Sequence, residues 1–235
     1  MVKTQNKSHA VMAQRHEPTD SLDDFPTPPW ATRALVEHVI GVDEVSSKKC
    51  LEPACGRGYM ATALKPYFDH VAASDVASYG FGEKRDFLSY RPEESVDWVI
   101  TNPPFRLAED FFRQGHAIAR CGVALLVRTV FLEGIGRLER MFSKHPPTTV
   151  AQFSERVPMV KGRLDRKAST ATGYAWVIWR KPLMEHTRLI WIPPCRKVLE
   201  RSIDYEPKFV TPASSNHIPS LMDAERSPDL FGNIV

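Results

Sequence analysis

The sequence predicts a doubly wound α/β fold, a mostly parallel sheet with helices on both faces. Strand-length apolar runs alternate with helical ones along most of its 235 residues. Those runs are apolar throughout rather than at every second residue, the pattern of strands covered on two faces. Glycine and proline gather where the strands end, as expected when loops at one edge of the sheet form a site.

Residues 1–21 read as a polar, flexible arm, and Phe25-Pro26-Thr27-Pro28-Pro29-Trp30 is too proline-dense for helix or central strand. An extended lead-in is expected there, then a helix over 31–40 with Leu35, Val36 and Val39 on its apolar face. Lys49–Glu52 should be a strand ended by Pro53 and a turn through Gly56 and Gly58, with a helix over 59–65. His70–Asp75 and Val96–Ile100 are the next strands, and residues 107–119 a helix burying Phe111, Phe112 and Ile118. Gly122–Val127 reads as a strand, 132–142 as a helix, and Thr149–Phe153 and Tyr174–Trp179 as the closing strands. Residues 154–172 form a basic insertion, and 183–235, rich in proline and charge, an irregular tail after a domain spanning 22–182.

The apolar content of 43% and charged content of 25% are those of a soluble globular chain. No run reaches the roughly 18 apolar residues needed to span a bilayer, and no signal-peptide core is evident, so a cytoplasmic location and no membrane partner are expected. The four cysteines and eight histidines show no metal-ligand spacing, so no metal is expected; oligomeric state is open. The net charge of +3 is unevenly placed: residues 156–201 carry 11 Lys/Arg against 3 Asp/Glu. Such an excess suits a polyanion or a merely solvated surface. Arg156, Lys161, Arg163, Arg166 and Lys167 are the candidate phosphate contacts.

Leu51-Glu52-Pro53-Ala54-Cys55-Gly56-Arg57-Gly58 puts two glycines at a strand's carboxyl end, where ligands of open α/β sheets bind. Ala61 stands where a dinucleotide fingerprint has its third glycine or alanine. Glu52 would repel a pyrophosphate but suits an ammonium group, which favours a cofactor with an amino-acid end over NAD. Asp75 ends the second strand 19 residues after Gly56, where a carboxylate can accept from ribose hydroxyls or merely cap the next turn. Asp86 and Phe87 could offer an acceptor and an apolar wall to an adenine ring. Cys55 has no base nearby in sequence and reads as packing.

The strongest signal is Thr101-Asn102-Pro103-Pro104-Phe105. An exocyclic amine on an aromatic ring is a poor nucleophile because its lone pair is delocalised. Hydrogen bonds from the amine to the Asn102 side-chain oxygen and the Pro103 carbonyl would favour the pyramidal form that attacks. Prolines with set φ hold that carbonyl in direction, and Phe105 would stack on the planar substrate.

Phe25-Pro26-Thr27-Pro28, Glu52 to Gly58, Asp75, Asp86-Phe87 and Asn102 to Phe105, in that order, resemble the amino-methyltransferases of DNA. More narrowly they resemble the adenine-N6 enzymes, including small phage and prophage types, over about residues 22–180. The resemblance implies the class I, Rossmann-like methyltransferase fold, S-adenosylmethionine as cofactor and DNA as substrate. It implies that Phe25, Thr27 and Pro28 lie against the methionine part of the cofactor, with Glu52, Pro53, Ala54, Gly56 and Gly58 flanking it. Asp75 would hold the ribose, Asp86 and Phe87 the adenine, and Asn102 to Phe105 the target amine and base, with Asn102 also near the cofactor. The family often has Asp where Asn102 stands. The tetrapeptide also occurs in enzymes acting on RNA guanines and on protein glutamine, so those substrates stay open. A non-catalytic nucleic-acid-binding protein with a cofactor fold is a further alternative. With no separate recognition domain in the resemblance, recognition is expected from residues 156–167 and the tail.

Overall fold

The computed structural model describes residues 23–94, 96–184 and 186–206. The arm 1–21, and the tail beyond residue 206, lie outside the described residues.

Eight strands form one sheet: β1 Lys49–Glu52, β2 His70–Asp75, β3 Glu83–Lys84, β4 Val96–Thr101, β5 Ala119–Arg128, β6 Thr149–Phe153, β7 Tyr174–Arg180 and β8 Arg188–Ile192. Their order across the sheet is β3-β2-β1-β4-β5-β7-β6-β8. All neighbours are parallel except β7, which runs antiparallel between β5 and β6. The carboxyl ends of β1, β2, β4, β5, β6 and β8 therefore point to one edge, where β7 begins.

The strands are apolar throughout because each side chain in turn meets a different layer. Cys50, Trp98, Ala124, Leu126, Trp176 and Ile178 join the helices α1 (Pro29–Leu35) and α3 (Tyr59–Leu64) in one buried cluster. Leu51, Val99, Val123, Leu125, Val177 and Trp179 join α4 (Ala108–Ile118) in the other. Trp176 and Trp179 thus face opposite layers, as their odd spacing requires, and both are fully buried. Helix α4 buries Ala108, Phe111, Phe112 and Gly115, one stripe of a 3.6-residue period.

Several element boundaries differ from expectation. Helix α1 starts at Pro29 and not at residue 31, because proline has no N–H to satisfy in the first turn. All seven of its residues are buried, and a π-helical turn, Val36–Ile40, continues it to Gly41. A four-residue helix, α2 (Val42–Val45), leads into β1. The expected helix over 132–142 is broken at Gly134, with φ of 108°, into the 3₁₀ turn Thr129–Leu132, α5 (Ile135–Arg137) and the π turn Leu138–Phe142.

The start of the expected tail is ordered and part of the domain. β8 pairs with β6, and α6 (Arg196–Leu199) packs against α1. Beyond it Asp204 accepts two hydrogen bonds from Arg33, at 2.6 and 2.8 Å, both side chains being buried. Breaking such a pair strands a charge in the interior, so this contact ties the end of the described chain to α1. No helix among the described residues is long and apolar enough to cross a membrane.

Candidate active site

Two adjoining cavities lie at the carboxyl edge of the sheet. The larger is an open cleft of about 900 Å³ over the ends of β1, β2 and β4. Phe25, Thr27, Glu52, Pro53, Ala54, Gly56, Asp75, Asp86, Phe87, Asn102 and Pro104 line it, so most of the expected cofactor residues converge there. The smaller, about 410 Å³, is walled by Asp23, Phe25, Asn102, Pro103, Phe105, Arg128, Met159 and Tyr174. Asp23, Phe25 and Asn102 are common to both.

Asn102 sits at this junction in a fixed orientation. Its amide nitrogen donates to the Phe25 carbonyl and to Thr27 Oγ1, both at 3.1 Å. A carbonyl can only accept, so the nitrogen must face the lead-in. The opposite amide atom, Oδ1, takes no hydrogen bond among the described residues and remains an acceptor. Phe105 is held from the other side: its N–H donates to Asp23 Oδ2 at 3.0 Å and the Arg128 guanidinium lies 5.1 Å from its ring centre.

In the cleft, Glu52 is buried, and its Oε2 has no hydrogen-bond partner. Burial pushes its carboxyl well above the usual carboxylate range; the Ala61 N–H partly opposes the shift and the Asp75 charge reinforces it. An orphaned buried acceptor at the wall of an open cleft fits a cationic ligand group, the ammonium of an amino-acid end. Of the two roles the sequence left open for Asp75, the structure shows the turn cap and places the carboxylate on the cleft wall. It caps the turn by accepting from Ala77 N–H at 2.9 Å, and its other oxygen accepts from Gly56 N–H at 2.8 Å while lining the cleft. Gly56 has φ of 48° and a Cβ there would meet nothing within 4 Å, so its surface stays open for a ligand to approach.

Some expected residues do other work. Pro28 is buried as the residue capping α1, its carbonyl accepting from Ala31 N–H, and it does not line the cleft. Gly58 does not line it either. It turns the chain with φ of 75° into α3, and a Cβ there would fall 2.4 Å from the Phe81 ring. Gly58→Ala should lower stability by at least about 1–2 kcal/mol from the left-handed backbone alone. Urea denaturation measures this, and an unchanged midpoint would remove the packing role. Asp86 is exposed and accepts from Leu88 N–H, whereas Phe87 is buried against Phe111, ring centres 5.0 Å apart. Cys55 is a packing thiol, pushed up to about 12 chiefly by burial.

The basic segment reaches the site by one residue: Met159 sulfur lies 3.8 Å from Asn102 Nδ2. Gly162 N–H donates to the Asp24 carbonyl at 2.8 Å, which fastens the loop to the lead-in. Lys161, Arg163, Arg166 and Lys167 are exposed; Arg163 pairs with Asp165 and Arg166 with Glu200. Arg156 lies farther along, at a third cavity. Residues not foreseen as part of the site include Asp23, Asp24, Arg57, Tyr79, Arg128, Met159 and Tyr174. Arg57 between two glycines and Arg128 ending an apolar strand were visible signals. Tyr174 offered none.

Among the described residues, no three His, Cys, Asp or Glu are placed to hold a metal ion. No protein-family description matches the chain, and neither does any curated protein sequence. Solved structures do match. A proposed RNA methyltransferase from Pyrococcus horikoshii aligns with a TM-score of 0.52 and 17% identity, over 70% of this chain and 90% of that one. The modification subunit of a proposed type I restriction enzyme from Vibrio vulnificus aligns with a TM-score of 0.50 and 15% identity, over 77% of this chain. The fold is the class I methyltransferase fold. The chain spans about half of the Vibrio subunit, 51%. At these identities the likeness speaks to architecture, and the chemistry rests on the residues of the two cavities.

Proposed function

We propose that the protein transfers a methyl group from S-adenosylmethionine to the exocyclic N6 amine of adenine in DNA. The observation that carries this reading is the orientation of Asn102, whose Oδ1 is left as an acceptor between an open cleft and an aromatic-walled pocket.

In this reading Glu52 binds the ammonium group, Asp75 the ribose hydroxyls and the Phe87 side the adenine. Bound there, the cofactor supplies an electrophilic methyl group on a sulfonium. Asn102 Oδ1 and the Pro103 carbonyl accept hydrogen bonds from the target amine, which turns its lone pair out of conjugation and toward the larger cleft. Methyl transfer to the amine nitrogen would leave a neutral thioether in the larger cleft, and the surplus proton of the methylated amine would pass to solvent. Direct displacement needs alignment above all, and the rigid Pro103-Pro104 backbone supplies it. Phe105 and Tyr174 flank the pocket that takes the extruded base.

The deciding experiment uses cofactor labelled in the methyl group, with separate pools of DNA, RNA and protein, followed by digestion of the labelled product. N6-methyladenine from DNA is the expected product. Label in RNA or in protein glutamine alone would keep the methyl transfer and overturn the substrate.

The exposed cations give a separate prediction. Replacing Lys161, Arg163, Arg166 and Lys167 together with Gln should weaken DNA binding and flatten its salt dependence by about one unit of slope for each phosphate no longer neutralised. Cofactor affinity should hold, since none of the four lines the cleft. Arg163 and Arg166 have carboxylate partners, but exposed pairs contribute little, so exchange for phosphate is cheap. An unchanged slope would return the segment to a solvated surface.

A further inference from the structure

All five tryptophans of the chain lie within the described residues. Trp30, Trp98, Trp176 and Trp179 are 0% exposed, whereas Trp191 is 65% exposed, with Leu189 beside it on the same face of β8 at 51%. Ile190 and Ile192, on the opposite face, join the cluster beneath α1. On the α4 side the buried cluster reaches Val150 of β6 and includes no residue of β8, so among the described residues Trp191 stands on an uncovered stretch of sheet.

Its position relative to the site follows from the register. Val127, Ala175, Gln152 and Trp191 are successive partners across β5, β7, β6 and β8. The row spans three strand spacings, about 14 Å, and lies one residue back from the Arg128–Tyr174 pair that walls the smaller cavity, on the opposite face of the sheet from the Tyr174 side chain. A third cavity of about 440 Å³ lies along the same edge, lined by Gln152, Ser154, Glu155, Arg156 and Tyr174 among others. Tyr174 belongs to both cavities, so the two adjoin. Glu155 is engaged by the N–H groups of Cys195 and Arg196, and Arg156 donates from one nitrogen to the Ala171 carbonyl at 3.0 Å.

We propose that Trp191 and the polar cavity reached through its register partner Gln152 form a second nucleotide subsite, which takes a base flanking the target in an unpaired strand. The inference rests on the nucleic-acid reading above and deepens it. An exposed indole on a flat sheet is a stacking platform for any base, and Arg156 offers guanidinium N–H groups to a phosphate between the two subsites. Stacking on Trp191 requires a base free of its partner, which specifies single-stranded or locally opened substrate. A second copy of the chain is the other candidate occupant. Across a two-fold axis it would bring the segment 156–201, with 11 cations against 3 acids, close to itself. The same charge complements a polyanion.

The test uses the full chain and acrylamide quenching of tryptophan fluorescence, which reads Trp191 because the other four are shielded. A single-stranded DNA of about 12 nucleotides should lower the quenching constant several-fold, and deoxyadenosine monophosphate should not. Trp191→Ala should weaken binding of that strand roughly 5- to 150-fold, leave kcat at saturation unchanged and be rescued by Trp191→Phe. Label transferred to DNA while Trp191 stays equally quenched would overturn the subsite and leave the proposed function standing. Protection that grows with protein concentration in the absence of DNA would assign this face to a second copy and overturn it too. If no strand is bound and no nucleic acid labelled, the proposed function falls and takes the subsite with it.

Discussion

Asn102→Ala should lower kcat about 10²- to 10³-fold while cofactor affinity changes little. The missing Oδ1 is an acceptor that matters most when the target amine becomes pyramidal, so its loss is felt in the transition state more than in either ground state. By analogy with one oxyanion-hole donor, the loss is about 2.7–4 kcal/mol. The structure adds a control. The same side chain holds Phe25 and Thr27 through its nitrogen, so the alanine variant also loosens the lead-in. Thr27→Val removes one of those anchors and leaves Oδ1 in place, and should cost no more than about tenfold, the worth of one hydrogen bond. Single-turnover kinetics with calorimetric cofactor titration separates the effects. If Asn102→Ala folds and transfers methyl groups at the wild-type rate, the mechanism is wrong.

Glu52→Gln should weaken binding of S-adenosylmethionine by about 2–5 kcal/mol, or about 30-fold and upward. The carboxyl is buried with one oxygen unpartnered, and an ammonium arriving there satisfies it and offsets its desolvation. Because burial raises its folded-state pKa, the Glu52 contribution to stability is full below the ordinary glutamate range, about 4.3. It is lost as pH rises through the raised folded value. Glutamine does not titrate, so the ligand-free variant should be at least as stable as the wild type at neutral pH while binding cofactor worse. Ligand binding should also release a proton from Glu52, measurable as a heat that varies with buffer ionisation enthalpy. Unchanged affinity in the variant would remove Glu52 from the ammonium site.

Much of this was legible in the residues. β1 and β2 fall on the expected bounds because each is a short apolar run closed by proline, glycine or an acid, and Asp75 and Asn102 stand at strand ends for the same local reason. The antiparallel course of β7 was not legible, since an apolar run covered on both faces reads the same in either direction. β8 was hidden because only one of its faces is buried and its flanks are rich in proline and charge.

The sequence by itself determined the chemistry available at this site: an acid before a glycine turn, an acid ending the next strand, and an asparagine ahead of two prolines and an aromatic. These are properties of neighbouring residues, and local spacing is enough to express them. Tertiary structure alone decided how they meet. The Phe25 carbonyl, 77 positions from Asn102, sets which amide atom faces the pocket, and Met159 and Tyr174 close that pocket from 57 and 72 positions away. Contacts at such separations depend on strand order and direction, and these are fixed by packing of the whole sheet against its two helical layers.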